Sequence, residues 1–251
     1  MPELRILLDP CNPGQFYACC GLIELFEQEQ APVVSHFALH ERLPRQAEFY
    51  VTSQAELDLM KLMFGLKSAE VRKLNGPDKA EAIYWGGLEL DWWLDEFRQE
   101  TSEFKGWAGQ QTSLNLVTEL QKLLPAGGTG LFEALAMTTV RFNLDPRSAW
   151  LALDLGYSPN EQRTKQSATY PAVELLAAVG LQGFRPWGSR REGFRYHLWL
   201  APLPRAVART ASARPWPGLP AAAYRFEIER RGQQKCFTLA TKEDSSHDGS
   251  L

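Results

Sequence analysis

Leu4-Arg-Ile-Leu-Leu-Asp-Pro-Cys-Asn-Pro-Gly-Gln-Phe16 is the stretch from which the fold is read. Its first five residues make a short apolar run of strand length, closed by Asp9-Pro10. Asn12 is a favourable N-cap, Pro13 suits the first helical position, and Gln15 stands three residues after the cap, where a capping box places it. Phe16, Cys19, Cys20, Ile23 and Phe26 then recur at helical spacing. Glycine inside a helix costs about 1 kcal/mol relative to alanine. Gly21 therefore predicts the close approach of a strand or of a partner backbone. The opening is a strand–turn–helix unit.

Further along, strands are predicted near 33–39 and 47–52. Ser53-Gln-Ala-Glu56 reads as a second capping box, opening a helix through Phe64 that closes at Gly65. Residues 67–81 are charged and turn-like, and 83–93 read as two short strands broken at Gly86-Gly87. Helices are predicted over 112–124, 131–137, 171–179 (ended by Gly180) and 205–211. Strands are predicted near 138–143 and 194–200, with a hairpin of 224–229 and 235–240 around Arg230-Arg-Gly-Gln-Gln234. The sum is an α+β class, with antiparallel strand pairs and packed helices. One domain is expected over 1–241, divisible into lobes at 1–130 and 131–241, with 242–251 a disordered tail.

Composition excludes several classes of function. No apolar run approaches the roughly 18 to 20 residues of a membrane span, so no membrane partner is expected. Met1-Pro-Glu-Leu-Arg5 lacks the charged-then-apolar layout of a secretory signal, which makes the cytoplasm the expected compartment. Cys11, Cys19, Cys20 and Cys236 show no C-x-x-C spacing and read as reduced thiols. The four histidines fit no compact metal-ligand pattern, and no cofactor or metal is expected. Asp91, Asp95, Glu96, Asp145 and Asp154 could hold magnesium in principle, but no D-x-D spacing appears among them.

Charge is distributed unevenly. Between Phe184 and Arg231 stand ten arginines, no lysine and three acids, a charge of +7 in a chain whose formal net charge is -3. Eight aromatics share that stretch. Arginine forks onto phosphates, and aromatic faces accept unstacked bases, so a nucleic-acid surface follows from the pairing. The plainer reading fills the core with half of the aromatics and lets the arginines snorkel to water. On charge, Arg185, Arg190, Arg191, Arg195 and Arg209 are the candidates, with Trp187 as a stacking ring.

A second candidate is the glycine-punctuated loop Phe104-Lys-Gly-Trp-Ala-Gly-Gln-Gln111, which leads to a helix N-terminus. Lys105, Gln110 and Gln111 could meet phosphate there, and Trp107 could stack on a base. The alternative is a surface turn with one anchoring tryptophan. Cys19 and Cys20, near a helix start, could be nucleophiles if His36, His40 or His197 lay beside them. The alternative packs both thiols in the core.

Several phrases together resemble a CRISPR-associated effector-complex family of type I-U (I-G) systems. They are Asp9-Pro-Cys-Asn-Pro-Gly-Gln-Phe-Tyr-Ala-Cys-Cys-Gly-Leu-Ile-Glu-Leu25, Gly87-Leu-Glu-Leu-Asp-Trp-Trp-Leu-Asp-Glu96 and Lys105-Gly-Trp-Ala-Gly-Gln-Gln111. Ala152-Leu-Asp-Leu-Gly-Tyr-Ser-Pro159 and the run from Pro171 to Pro186 complete the set. The resemblance implies a non-catalytic subunit of a Cascade-like surveillance complex in antiviral defence. Its implied partners are other effector subunits, guide RNA, target DNA and a recruited helicase-nuclease that does the cutting. A part of the large-subunit role is one implied position. A backbone subunit with a ferredoxin-like core is the other, and the strand–turn–helix opening is compatible with it. Outside that reading stand two alternatives: a metal-independent guide-processing ribonuclease using a histidine, and a purely structural scaffold.

Overall fold

The computed structural model describes residues 2–29, 32–74, 82–97, 100–107, 111–125, 130–148, 166–214, 216–231 and 234–243. The first third contains β1 (Glu3–Leu8), α1 (Pro13–Gln28), β2 (Val33–Leu39), β3 (Ala47–Ser53) and α2 (Leu59–Ser68). Then come β4 (Val71–Lys73), β5 (Ile83–Trp85), β6 (Leu88–Leu90), α3 (Ser113–Lys122) and β7 (Ala136–Thr138). A 3-10 turn at Pro146–Ser148 precedes β8 (Ser167–Thr169), α4 (Pro171–Gly183), β9 (Trp187–Ser189) and β10 (Gly193–Trp199). The last elements are β11 (Leu203–Pro204), α5 (Arg205–Ala213), β12 (Ala221–Phe226), β13 (Ile228–Arg231), β14 (Gln234–Phe237) and β15 (Thr241–Lys242). The class is α+β, and every strand pairing among the described residues is antiparallel.

The opening folds as its residues direct. Asn12 Oδ1 accepts the Gln15 N–H at 3.1 Å, and Gln15 Oε1 accepts the Asp9 N–H at 2.6 Å. Cap and capping-box partner thus hold the turn from both sides. Asn12 also donates to Asp145 Oδ1 at 2.8 Å, tying this turn to the 140s. All of α1 from Pro13 to Phe26 is buried, and so is α4 from Pro171 to Leu181. A helix apolar on every side belongs inside a core.

The two helices meet backbone to backbone. A Cβ at Gly21 would lie 2.0 Å from the Leu176 carbonyl oxygen, and one at Gly180 would lie 1.9 Å from that of Tyr17. Gly21 does permit close approach, of a helix. Gly180, expected to end its helix, lies inside it, because its missing side chain is used for packing and the helix runs on to Gly183.

β1, β3, β2 and β11 form one sheet in that order. The β1–α1–β2–β3 unit has the connectivity of half a ferredoxin-like layout. After α4, however, the chain does not return to β1. It builds a second sheet, ordered β15-β12-β10-β9, so the ferredoxin-like arrangement extends to the first half alone. β10 joins the layers: Tyr196 stacks on Phe16 with ring centroids 4.3 Å apart and donates to the Pro10 carbonyl at 2.6 Å. Trp199 donates to the Ser35 carbonyl of β2 at 2.8 Å. Buried apolar residues from Leu8 to Ala240 make one cluster.

Four expectations change. Residues 131–137 form a turn and then β7, because Gly130 (φ 66°) opens a turn and Ala136–Thr138 pair with β8; no helix and no strand through 143 forms there. The second helix starts at Leu59, capped by Asp58, whose carboxylate accepts the Lys61 N–H; Ser53 stays in β3. The expected last hairpin is divided: β12 joins the second sheet, and only β13 and β14 pair around the turn. Lys242, placed in the tail, lies in β15, where it pairs with Tyr224; residues 244–251 lie outside the described residues.

Candidate nucleic-acid interface

Two hairpins and one loop converge on a cationic patch. The β9–β10 hairpin presents Arg190 and Arg191 at its tip, both exposed. Gly188 (φ 127°) and Gly193 (φ 80°) shape it, and a Cβ at Gly193 would lie 2.4 Å from Nε of Arg225. Arg225 fills that space and donates to the Glu192 carbonyl at 2.8 Å, bracing the tip from β12. In the β13–β14 hairpin Arg230 lies directly opposite Lys235. Like charges facing across strands are destabilising.

Lys235 is held firmly in this unfavourable place. Its backbone N–H donates to the Gly106 carbonyl at 2.8 Å, and its ammonium to the Glu103 carbonyl at 3.1 Å. Gly106 has to be glycine, since a Cβ there would lie 2.2 Å from the Phe142 carbonyl oxygen. Burial first, then the charges of Arg190, Arg230 and Lys105, pull the Lys235 ammonium below the ordinary lysine range, with Glu103 acting the other way. The cations of residues 105, 190 and 230 therefore all act on Lys235. Among the described residues Arg190, Arg191 and Arg230 form no ion pair.

Trp187, at the base of the β9–β10 hairpin, is 42% exposed. The guanidinium carbons of Arg195 and Arg214 lie 5.7 and 5.8 Å from its ring centroid. Arg195, opposite Trp187 in the β-ladder, also pairs with Glu243 at 3.0 Å.

The remaining sequence candidates fall elsewhere. Trp107 is 3% exposed and packs among Trp92, Trp93 and Phe142 at 5.3 to 6.0 Å, so it is an anchor and has no open face for a base. Lys105 lies over its ring at 5.5 Å. Gln111 donates to the Thr139 carbonyl at 3.4 Å, and Gln110 lies outside the described residues. Arg185 donates to the Trp92 carbonyl at 2.9 Å and stands 3.8 Å from Asp91, tethering the end of α4. Arg209 is taken by Glu24 through two hydrogen bonds of 2.7 and 2.5 Å, and Arg205 reaches the same carboxylate at 3.2 Å. Arg209 is therefore already matched by an acid of its own chain in the seam between α1 and α5, away from the hairpin tips.

Arg230, Lys235 and Arg214 were missed by sequence reasoning. The only local signal was the Arg230-Arg231 pair beside a glycine turn. Lys235 enters through strand register and Arg214 through the end of α5, and neither is legible from spacing.

The groups considered for catalysis are dispersed. Cys19 and Cys20 are fully buried, and burial pushes both thiols well above their ordinary range. His197 is buried with Nδ1 3.2 Å from the Ser212 carbonyl oxygen, and burial pulls it below the ordinary histidine range. His36 stacks on Tyr50 at 4.9 Å on the outer face of the first sheet, while His40 meets Glu48 at 3.2 Å. Among the described residues no three histidine, cysteine or acidic groups are placed to hold a metal ion. No described helix is long and apolar enough to cross a membrane. A groove of about 580 Å³ runs along β1, and each arginine lining it has an acidic partner: Arg45 has Asp9, Arg147 has Asp145 and Glu133, and Arg5 has Glu48. No family model, curated protein or solved structure matches the chain.

Proposed function

We propose that the chain is a non-catalytic subunit of a type I CRISPR guide-RNA surveillance complex, holding guide RNA or target DNA through the patch at its hairpin tips. The observation that carries the binding part is the crowding of Lys105, Arg190, Arg230 and Lys235, with Arg191 beside them and three arginines unpaired among the described residues. Cations such as Arg190, Arg191 and Arg230, which form no ion pair among the described residues, lower their energy when phosphate arrives and counterions leave. In guide-RNA complexes base pairing reads sequence while protein holds backbones, which is work for such a surface.

The assignment to that system rests on the sequence phrases. Three of them contain glycines in close backbone contact: Gly21 against Leu176, Gly180 against Tyr17, and Gly106 against Phe142 and Lys235. Other effector subunits and a recruited helicase-nuclease are the protein partners this reading calls for. A thiol enzyme is disfavoured, because Cys19 and Cys20 are sealed in the core.

Purifying a tagged copy from cells expressing its neighbouring genes, and sequencing the RNA that accompanies it, tests the proposal. RNAs sharing one repeat, together with partner subunits, support it. A monomer free of nucleic acid overturns it.

A further inference from the structure

The patch and Trp187 belong to one hairpin, and their chemistry differs. Arg190 and Arg191 suit phosphate, contacts that position a strand without reading its sequence. Trp187 is an aromatic ring nearly half open to solvent on a strand, β9, whose three residues are all exposed. Arg190 follows it by three positions, about 10 Å at the rise of an extended chain. The charged groups gathered around it are two guanidiniums. Both stand near the 6 Å limit of cation–π contact, and Trp187 stays 42% exposed. Arg214 makes no ion pair among the described residues, and Arg195 keeps Glu243.

We infer that the interface takes single-stranded nucleic acid, with an unpaired base stacked on Trp187, its phosphate on Arg214, and the following backbone on Arg190, Arg191 and Arg230. This rests on the nucleic-acid reading above. A base within a duplex has no face to offer a side chain, whereas every unpaired base has one. Stacking of this kind is tolerant of sequence, which suits a strand whose sequence is read by pairing elsewhere.

The test is fluorescence anisotropy with the full chain and three end-labelled probes: a 20-nucleotide unstructured RNA, the DNA of the same sequence, and the corresponding blunt DNA duplex. Single strands of either sugar are expected to bind at least tenfold more tightly than duplex at equal salt. Trp187→Ala should weaken single-strand binding roughly 5- to 140-fold, the equivalent of about 1–3 kcal/mol per stacked base. Its salt slope should not change, and Trp187→Phe should restore most of the loss. The triple variant Arg190→Ala, Arg191→Ala, Arg230→Ala should lower the salt slope by about 2. Equal affinity for duplex and single strand, or an unaffected Trp187→Ala protein, overturns the inference and leaves a duplex-holding patch standing. Failure of the wild type to bind any probe removes the patch reading as well.

Discussion

Arg205 and Arg209 project from α5 onto the buried carboxylate of Glu24, which accepts from both, and Glu27 stands 3.5 Å from Arg205. Arg190 and Arg230 come from two different hairpins and crowd onto Lys235. Residue type is the same and the circumstances are opposite. In the first region charge is matched by folding, so its cations strengthen the seam between α1 and α5. In the second Arg190 and Arg230 form no ion pair among the described residues, so these cations carry a cost that a bound anion relieves. Counting arginines along the chain cannot separate these uses; only the acid opposite each one can.

The helical spine is where that comparison can be broken most severely. Gly180→Ala places a methyl group against the Tyr17 carbonyl, which as backbone cannot swing aside. A loss of about 3 kcal/mol or more is expected, read as a lower urea midpoint with unchanged slope. Near-wild-type stability would mean that α1 and α4 slide freely, and that the spine is no more rigid than the tips.

Next in size is Glu24→Gln. It should cost about 2 kcal/mol, less than a fully buried pair, because Arg205 and Arg209 reach water. Chemical denaturation measures it, and a cost indistinguishable from zero would make the seam's ion pairs mere decoration.

A smaller effect asks whether the spine tolerates any charge of its own. Glu174 of α4 is wholly buried, and loss of hydration pushes its carboxyl up to about 7, although the N–H groups of Phe142, Leu144 and Asp145 donate to it. The folded chain keeps this proton where the unfolded chain, near the ordinary value of 4.5, has released it. Its contribution to stability therefore falls as pH rises from about 4.5 to about 7 and is level above that. Glu174→Gln should remove this slope while costing about 1 to 2 kcal/mol, since its amide turns donors toward donors. Unfolding curves across that pH range, with slopes equal in both proteins, would contradict the assignment.

The smallest change belongs to the tips. Arg190→Ala with Arg230→Ala should shift stability by no more than about 0.5 kcal/mol, in the stabilising direction, as repulsion on Lys235 is lifted. Thermal melts should show the gain at low salt and lose it at high salt. A destabilisation like that of Glu24→Gln would place both regions in one class.

Local chemistry was legible where it was self-contained. The Asn12 cap with Pro13 and Gln15 marks the start of α1, and alternation marks Val33–Leu39, because each needs only neighbours in sequence. Residues 131–137 misled, since apolar spacing suggests a helix while pairing with β8, some thirty residues on, decides otherwise. Trp107 misled for a related reason. Its glycine-rich loop looks exposed, but Gly106 serves to press that loop between Phe142 and Lys235, which buries the ring. The hairpin tip of Arg190-Arg191 was visible; its companions Arg230 and Lys235 required the tertiary fold.

One contact has a consequence in time. The Ala240 N–H donates to the Cys11 carbonyl at 2.7 Å, and the Tyr196 hydroxyl to that of Pro10. The turn that starts α1 is thus finished by a residue made about 230 positions later. At 5–20 residues per second, synthesis takes roughly 10 to 50 s to cover that interval. For about 180 of those positions Phe16 waits for Tyr196, its stacking partner, and for Trp199, so a helix that the finished fold buries lacks its cover for most of synthesis. Yield in a host cell should depend on chaperone supply and growth temperature more than on the stability of the finished molecule.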